Sequence, residues 1–228
     1  MMRDVVIVGG GPTGLMLACE LRLAGVVVTV LERLAEPSGF SKPLSLSGRT
    51  IDTLGRHGLL ERLSDQAQAH SSALVPVDRS PPGAPRLRSN LSRRLIVEQA
   101  RVEELLEERA IELGAALRWG HVLVRLEQER DGLRLDVRDP NGDYQLRTRL
   151  LVGCDGEQPV VRDLCRLAHI AVAESSQVQR VIFACESALD DCVPDVVRLA
   201  RQLAAEIRAR APAGLAETYY AERAAGAA

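Results

Sequence analysis

Metal-ligand and disulfide patterns are missing from this chain. Its five cysteines, Cys19, Cys154, Cys165, Cys185 and Cys192, form no C-x-x-C pair, and its four histidines lie far apart. This spacing argues against a metal centre and against a disulfide framework, and leaves the thiols as small core residues. Charge of one sign is not in excess either: 29 basic side chains face 31 acidic ones, a formal net charge of −2. Without a basic surplus, neither nucleic acid nor an anionic membrane is expected as the main partner. No apolar run reaches the roughly 20 residues that a membrane span needs. An apolar strand pattern starts at residue 4 and leaves no room for the charged and apolar regions of a signal peptide, so the cytoplasm is the expected compartment.

What the chain does have is 228 residues, 46% of them hydrophobic, enough for one α/β domain with a sizeable core. Its first stretch organises the rest. Val5-Val6-Ile7-Val8 is a buried-strand pattern that runs straight into Gly9-x-Gly11-x-x-Gly14, and Leu15, Ala18, Leu21 and Leu23 or Ala24 continue at helical spacing. In a strand-turn-helix of this kind the first glycine permits the turn. The second lets a pyrophosphate approach the backbone, and the third lets helix and strand pack closely. Free N–H groups at the helix start then face the phosphates. Gly25 ends the helix, residues 26–31 read as a second buried strand, and Glu32 closes it eighteen residues after Gly14, where a carboxylate can accept hydrogen bonds from a ribose diol. A dinucleotide site follows; which dinucleotide is open at this level.

Beyond Glu32-Arg33, residues 34–46 are rich in Pro, Ser and Gly and read as a loop, followed by a helical stretch over 51–63. Arg49 falls at the start of that stretch, where it could meet a phosphate or simply stand in solvent. Residues 64–95 carry Pro76, Pro81, Pro82 and Pro85 among several arginines and read as an irregular, solvated segment rather than an anion patch. A helix is expected over 101–113, stopped by Gly114. Segments 116–129, 133–139 and 144–150, separated by Asp131-Gly132 and Asn141-Gly142, form an antiparallel meander. Leu150-Leu151-Val152-Gly153 returns as a short buried strand and delivers Asp155-Gly156 at its carboxyl end, where ligands of open parallel sheets sit.

Together these residues resemble the class A flavoprotein monooxygenases, the aromatic hydroxylases typified by para-hydroxybenzoate hydroxylase, and within them the actinobacterial polyketide hydroxylases. Three stretches carry the likeness. Gly9, Gly11, Pro12, Thr13 and Gly14 with Glu32 and Arg33 match the part that holds the FAD pyrophosphate and adenosine ribose. Glu98 to Leu106 resembles the helix whose Gln, here Gln99, and a nearby Arg position FAD; Arg49 is carried over as a cofactor contact too. Gly153 to Arg162 resembles the Asp-Gly motif shared by FAD and NAD(P)H binding, with Asp155, Gly156 and Arg162 kept and Pro159 where Ser is usual. By the same analogy Leu123 reaches adenine through its backbone.

The resemblance implies an α/β fold: a Rossmann-like FAD-binding domain with a parallel sheet, an antiparallel β-meander and C-terminal helices. It implies FAD as cofactor and NAD(P)H as reductant. It is continuous over residues 1–166 of a single domain spanning 1–228. Residues 167–180 then stand as a shortened junction where the family has a substrate domain. Residues 181–228 resemble a degenerate Gly-Asp strand, with Cys185 for Gly and Glu186 for Asp, and the C-terminal helices. The glycine-rich loop beside the flavin ring is missing, and no side chain reads as a catalytic acid or base for hydroxylation. The expectation is an FAD-binding protein of this hydroxylase group, truncated and dependent for turnover on a protein partner or a second copy covering the face left by the missing domain. The alternative is a non-catalytic accessory or interaction protein with weak or no flavin binding.

Overall fold

In the computed structural model the elements follow in the order β1 (Arg3–Val8), α1 (Pro12–Leu23), β2 (Val28–Glu32), β3 (Pro43–Leu46), α2 (Gly48–Arg56), α3 (Leu59–Ala67), β4 (Leu74–Pro76), β5 (Arg93–Glu98), α4 (Gln99–Glu112), β6 (Ala116–Trp119), β7 (Val122–Glu129), β8 (Gly132–Asp139), β9 (Gly142–Gly153), α5 (Val160–Leu167), β10 (Val181–Phe183) and α6 (Leu189–Ala209). The structure describes residues 2–37, 42–67, 74–76, 93–156, 160–168, 181–184 and 189–209. The expectations placed on Pro81, Pro82, Pro85, Pro159, Cys185, Glu186 and the segment after 209 lie outside the described residues.

A seven-stranded sheet runs β6-β2-β1-β9-β8-β7, with β10 also on β9. β1 pairs in parallel with β2 on one side and with β9 on the other. The twelve-residue β9 changes pairing sense along its length within this one sheet. Its first half pairs antiparallel with β8 from Gly142 to Thr148, and its last three residues pair in parallel with β10. Thr148 sits at the changeover, buried, its hydroxyl donating to the Leu150 carbonyl at 2.8 Å. A separate antiparallel sheet, β3-β5-β4, lies beside the main one.

Side-chain alternation along β1 divides the core. Val5 and Ile7 face the layer of α1, α4 and α6, whereas Val6 and Val8 face Leu126, Leu133, Leu135 and Val137 of the meander. α6 buries Val193, Val196, Leu199, Ala200, Leu203 and Ala204, a three- and four-residue spacing that lays it on the parallel sheet's helical layer. Each fully buried Val or Leu stabilises by about 1.5–3 kcal/mol, so α6 is an integral part of the domain. Its first turn is anchored to α2, because the Asp190 carboxylate accepts from the Ser47 N–H and the Thr50 hydroxyl, both at 2.6 Å. The helix starts at Leu189 and carries Pro194 in its interior.

Other differences from the sequence reading have local causes. Segment 116–129 is two strands, broken where Gly120 takes φ +75°; β6 leaves to pair in parallel with β2, and only β7 joins the meander. The helical stretch 51–63 is α2 and α3, separated at Gly58 with φ +71°. The segment 34–46 contains β3, and α4 begins at Gln99, two residues early. Cys19, Cys165 and Cys192 are buried free thiols, as expected of core residues. Burial pushes the Cys19 thiol up to about 12, which makes it inert. Among the described residues no group of His, Cys, Asp and Glu could hold a metal ion, and no helix is long and apolar enough to cross a membrane.

A candidate nucleotide cleft at the sheet edge

The carboxyl ends of β1, β2 and β9 come together. The Gly9 N–H donates to the Leu31 carbonyl at 2.8 Å, and the Cys154 N–H to the Val8 carbonyl at 2.7 Å. Between these ends opens a cleft of about 260 Å³, lined among others by Gly9, Gly11, Glu32, Arg33, Leu123, Asp155 and Gly156. Seven of the residues singled out from the sequence thus meet at one place. Gly11 and Asp155 lie at the same end of the sheet, as a nucleotide site requires.

The three glycines are glycine for different reasons. Gly9 has φ +111°, and a Cβ there would lie 2.2 Å from the Cys154 carbonyl oxygen. At Gly14 a Cβ would lie 2.1 Å from the Gly9 carbonyl oxygen, so helix and turn touch through that position. Gly11 is different. Its φ of −72° and ψ of 178° suit any residue, and no atom lies within 4 Å of where its Cβ would be. Apart from its place at the N-cap of α1, where glycine is favoured over most residues, the protein gives no steric reason for a glycine there; a group approaching from the cleft does. Gly11 is also the N-cap of α1, no side chain caps that helix, Pro12 contributes no N–H, and the first turn carries no acid. Thr13 and Gly14 follow in that same turn, so the positive end of the helix dipole is left for an anion.

Glu32 is held rigidly. One carboxylate oxygen accepts from the Gly10 N–H at 2.7 Å and the other from the Leu34 N–H at 2.9 Å. Each oxygen keeps a lone pair for a further donor, such as a ribose hydroxyl. Asp155 turns one oxygen to the Val161 N–H at 2.8 Å and so tethers the start of α5. Arg162, two residues into that helix, lies over the Phe183 ring of β10 at 4.8 Å.

Arg49 and Gln99, and Pro12, Thr13 and Gly14 in the first turn of α1, stand outside the lining of this cleft. Arg49 is exposed on the first turn of α2. Gln99 starts α4; its N–H donates to the Lys42 carbonyl at 3.0 Å and its side-chain amide to Glu103 at 2.8 Å. Burial holds the Glu103 carboxyl above the usual carboxylate range; the Gln99 hydrogen bond opposes the shift and the Glu32 charge adds to it. A carboxyl with a raised folded-state value favours folding only while protonated, so its contribution is lost as pH rises from the unfolded toward the folded value. Glu103→Gln is therefore expected to raise the melting temperature at neutral pH, with the gain vanishing as pH falls below the carboxylate range. Melts across pH check this, and a gain that does not depend on pH would contradict it.

The cleft also contains His121, which the sequence reading passed over. It follows the Gly120 turn, and its significance comes from Tyr144, two strands on, which no local pattern joins to it.

A parallel βαβ start, a glycine turn with one glycine open to the cleft and a fixed acid at the end of β2 define a dinucleotide-binding domain. The chain belongs to the family described as FAD binding domain, whose model matches residues 2–187. FAD is the cofactor that goes with this fold. Among curated proteins it is 49% identical over 168 residues to 12-dehydrotetracycline 5-monooxygenase/anhydrotetracycline 6-monooxygenase of Streptomyces rimosus, covering 72% of this chain and 33% of that one. It is 41% identical over 181 residues to rifampicin monooxygenase of Streptomyces venezuelae, covering 79% and 37%. The solved structure of OxyS anhydrotetracycline hydroxylase from Streptomyces rimosus superposes with a TM-score of 0.76 at 31% identity, covering 98% of this chain and 66% of that one. The chain spans about a third of the length of these curated relatives.

Proposed function

We propose that the cleft binds the ADP half of FAD, with Gly9, Gly11, Pro12, Thr13 and Gly14 at the pyrophosphate, Glu32 and Arg33 at the ribose, Leu123 at adenine, and Asp155 and Gly156 closing the site. The observation that carries this is Gly11, a glycine that no steric contact within the protein requires and that lines the cleft. Arg49 and Gln99 lie outside that cleft and are assigned to FAD by the resemblance alone. The chemistry is that of the aromatic and polyketide hydroxylases, in which FAD reduced by NAD(P)H reacts with oxygen, while the protein supplies orientation, electrostatics and exclusion of water. Its dependence on NAD(P)H implies the cytoplasm.

On this reading residues 167–180 replace the substrate domain, and turnover needs a protein partner or a second copy to enclose the reacting ring. Two observations support it. The structural match covers 98% of this chain but 66% of the hydroxylase, and the buried face of α6 keeps the far end of the domain on the core. The alternative is a non-catalytic accessory or interaction protein with weak or no flavin binding. Because Glu32 and the glycine turn stand together in the cleft while the family's flavin-side loop is missing from the sequence, calorimetric titration is expected to give ADP and FAD similar affinities. A strong preference for FAD would show that the ring is also held and would overturn the truncated-site reading.

A further inference from the structure

Gly120 and His121 are pinned to the end of β2. The Gly120 N–H donates to the Leu34 carbonyl at 2.7 Å and the His121 N–H to the Glu32 carbonyl at 2.8 Å. His121 thereby lines the cleft together with Glu32. Behind it stands a short relay. An Arg118 nitrogen lies 2.8 Å from the Tyr144 hydroxyl, and that hydroxyl lies 2.9 Å from His121 Nδ1. The Arg118 guanidinium also sits 5.2 Å from the centre of the Tyr144 ring, and the His121 and Tyr144 rings meet edge-on at 77°.

The direction of each bond follows from the groups. A guanidinium only donates, so the Tyr144 oxygen accepts from Arg118. The Tyr144 proton has no other protein acceptor among the described residues and goes to His121 Nδ1. The imidazole proton is then on Nε2, since the bond made by one ring nitrogen fixes the tautomer of the other. Nε2–H has no protein partner among the described residues. The cleft therefore offers a carboxylate acceptor at Glu32 and a donor at His121. Adenosine supplies the complement, ribose hydroxyls that donate and purine nitrogens that accept.

We propose that His121 is a nucleotide-binding residue that donates from Nε2 to an acceptor of the adenosine, and that Arg118 and Tyr144 are positioning residues that hold its tautomer and ring plane. This rests on the nucleotide reading of the cleft. Calorimetric titrations of ADP and of inorganic pyrophosphate into the wild type, His121→Phe, His121→Gln and Tyr144→Phe test it. His121→Phe should weaken ADP about fivefold, the size of one neutral hydrogen bond, and leave pyrophosphate unchanged. His121→Gln, which keeps a donor at similar reach, should recover most of that loss. Tyr144→Phe should lose part of it, and none further in a chain that already carries His121→Phe. Wild-type binding of ADP together with unchanged binding by His121→Phe, or equal losses in His121→Phe and His121→Gln, would overturn the role of His121 while leaving the cleft a nucleotide site. A wild type that binds neither ADP nor FAD would remove the nucleotide reading and this proposal with it.

Discussion

Gly11→Ala is expected to fold normally and to bind FAD about ten- to a hundredfold more weakly than the wild type. Alanine adopts φ −72° and ψ 178° without strain, and its methyl meets no protein atom within 4 Å. Two small effects on stability oppose one another. Alanine restricts the unfolded chain and favours folding by about 0.4–1 kcal/mol, but it is a poorer N-cap than glycine by a comparable amount. Stability should thus stay within about 1 kcal/mol of wild type. The methyl projects into the space where a pyrophosphate would meet the start of α1. Losing one charge-assisted hydrogen bond there removes about 1.5–3 kcal/mol, which is the stated fold-change. A melting curve and an FAD titration of the same preparation check both halves. Unchanged binding in a folded protein would mean that no phosphate sits at Gly11.

Gly14→Ala should have the opposite profile. Its methyl would sit 2.1 Å from the Gly9 carbonyl oxygen, a backbone atom that can yield only if α1 lifts from the turn. α1 lies at the centre of the main core, with Leu15, Met16, Leu17, Ala18 and Leu21 all buried. Lifting it strains packing on every side, and destabilisation by about 3 kcal/mol or more is expected. Denaturant unfolding measures this directly; a loss below 1 kcal/mol would mean that the turn and helix are less tightly joined than the structure shows. The pair separates two uses of glycine in one motif: at position 14 the packing of helix on turn needs it, and at position 11 no contact within the protein does.

How much of this was legible in the sequence follows from the range of each interaction. The path from Val5 through Gly14 to Glu32 could be read because every step is local: a β-branched run, a turn that needs glycine, a helix stopped at Gly25, a second apolar run and an acid. The meander was readable from its two hairpin turns. The position of β6 was not. Four residues carry too little pattern to show that they pair with β2 across the sheet, and the clue, Gly120 inside an apparent strand, also fits a bulge. β3 was hidden in a segment whose composition is that of a loop, because its alternation of exposed and buried residues lasts only four positions.

The site divides in the same way. Gly9, Gly11, Glu32 and Asp155 were found by position at strand ends, and the structure gathers them into one cleft. Arg49 and Gln99 were assigned by resemblance, and they stand on α2 and α4 outside it. His121 was missed because what gives it a defined proton is a hydroxyl 23 residues away and an arginine three residues before it on another strand. Such a relay exists only after β6, β7 and β9 are in place.

Equilibrium dialysis of the wild-type chain against FAD, with ADP as competitor, tests the central claim most directly. The predicted result is saturable uptake of one FAD per chain that ADP displaces completely, because both would occupy the cleft between Gly11, Glu32 and Asp155. No saturable uptake, or uptake that ADP leaves untouched, would contradict it.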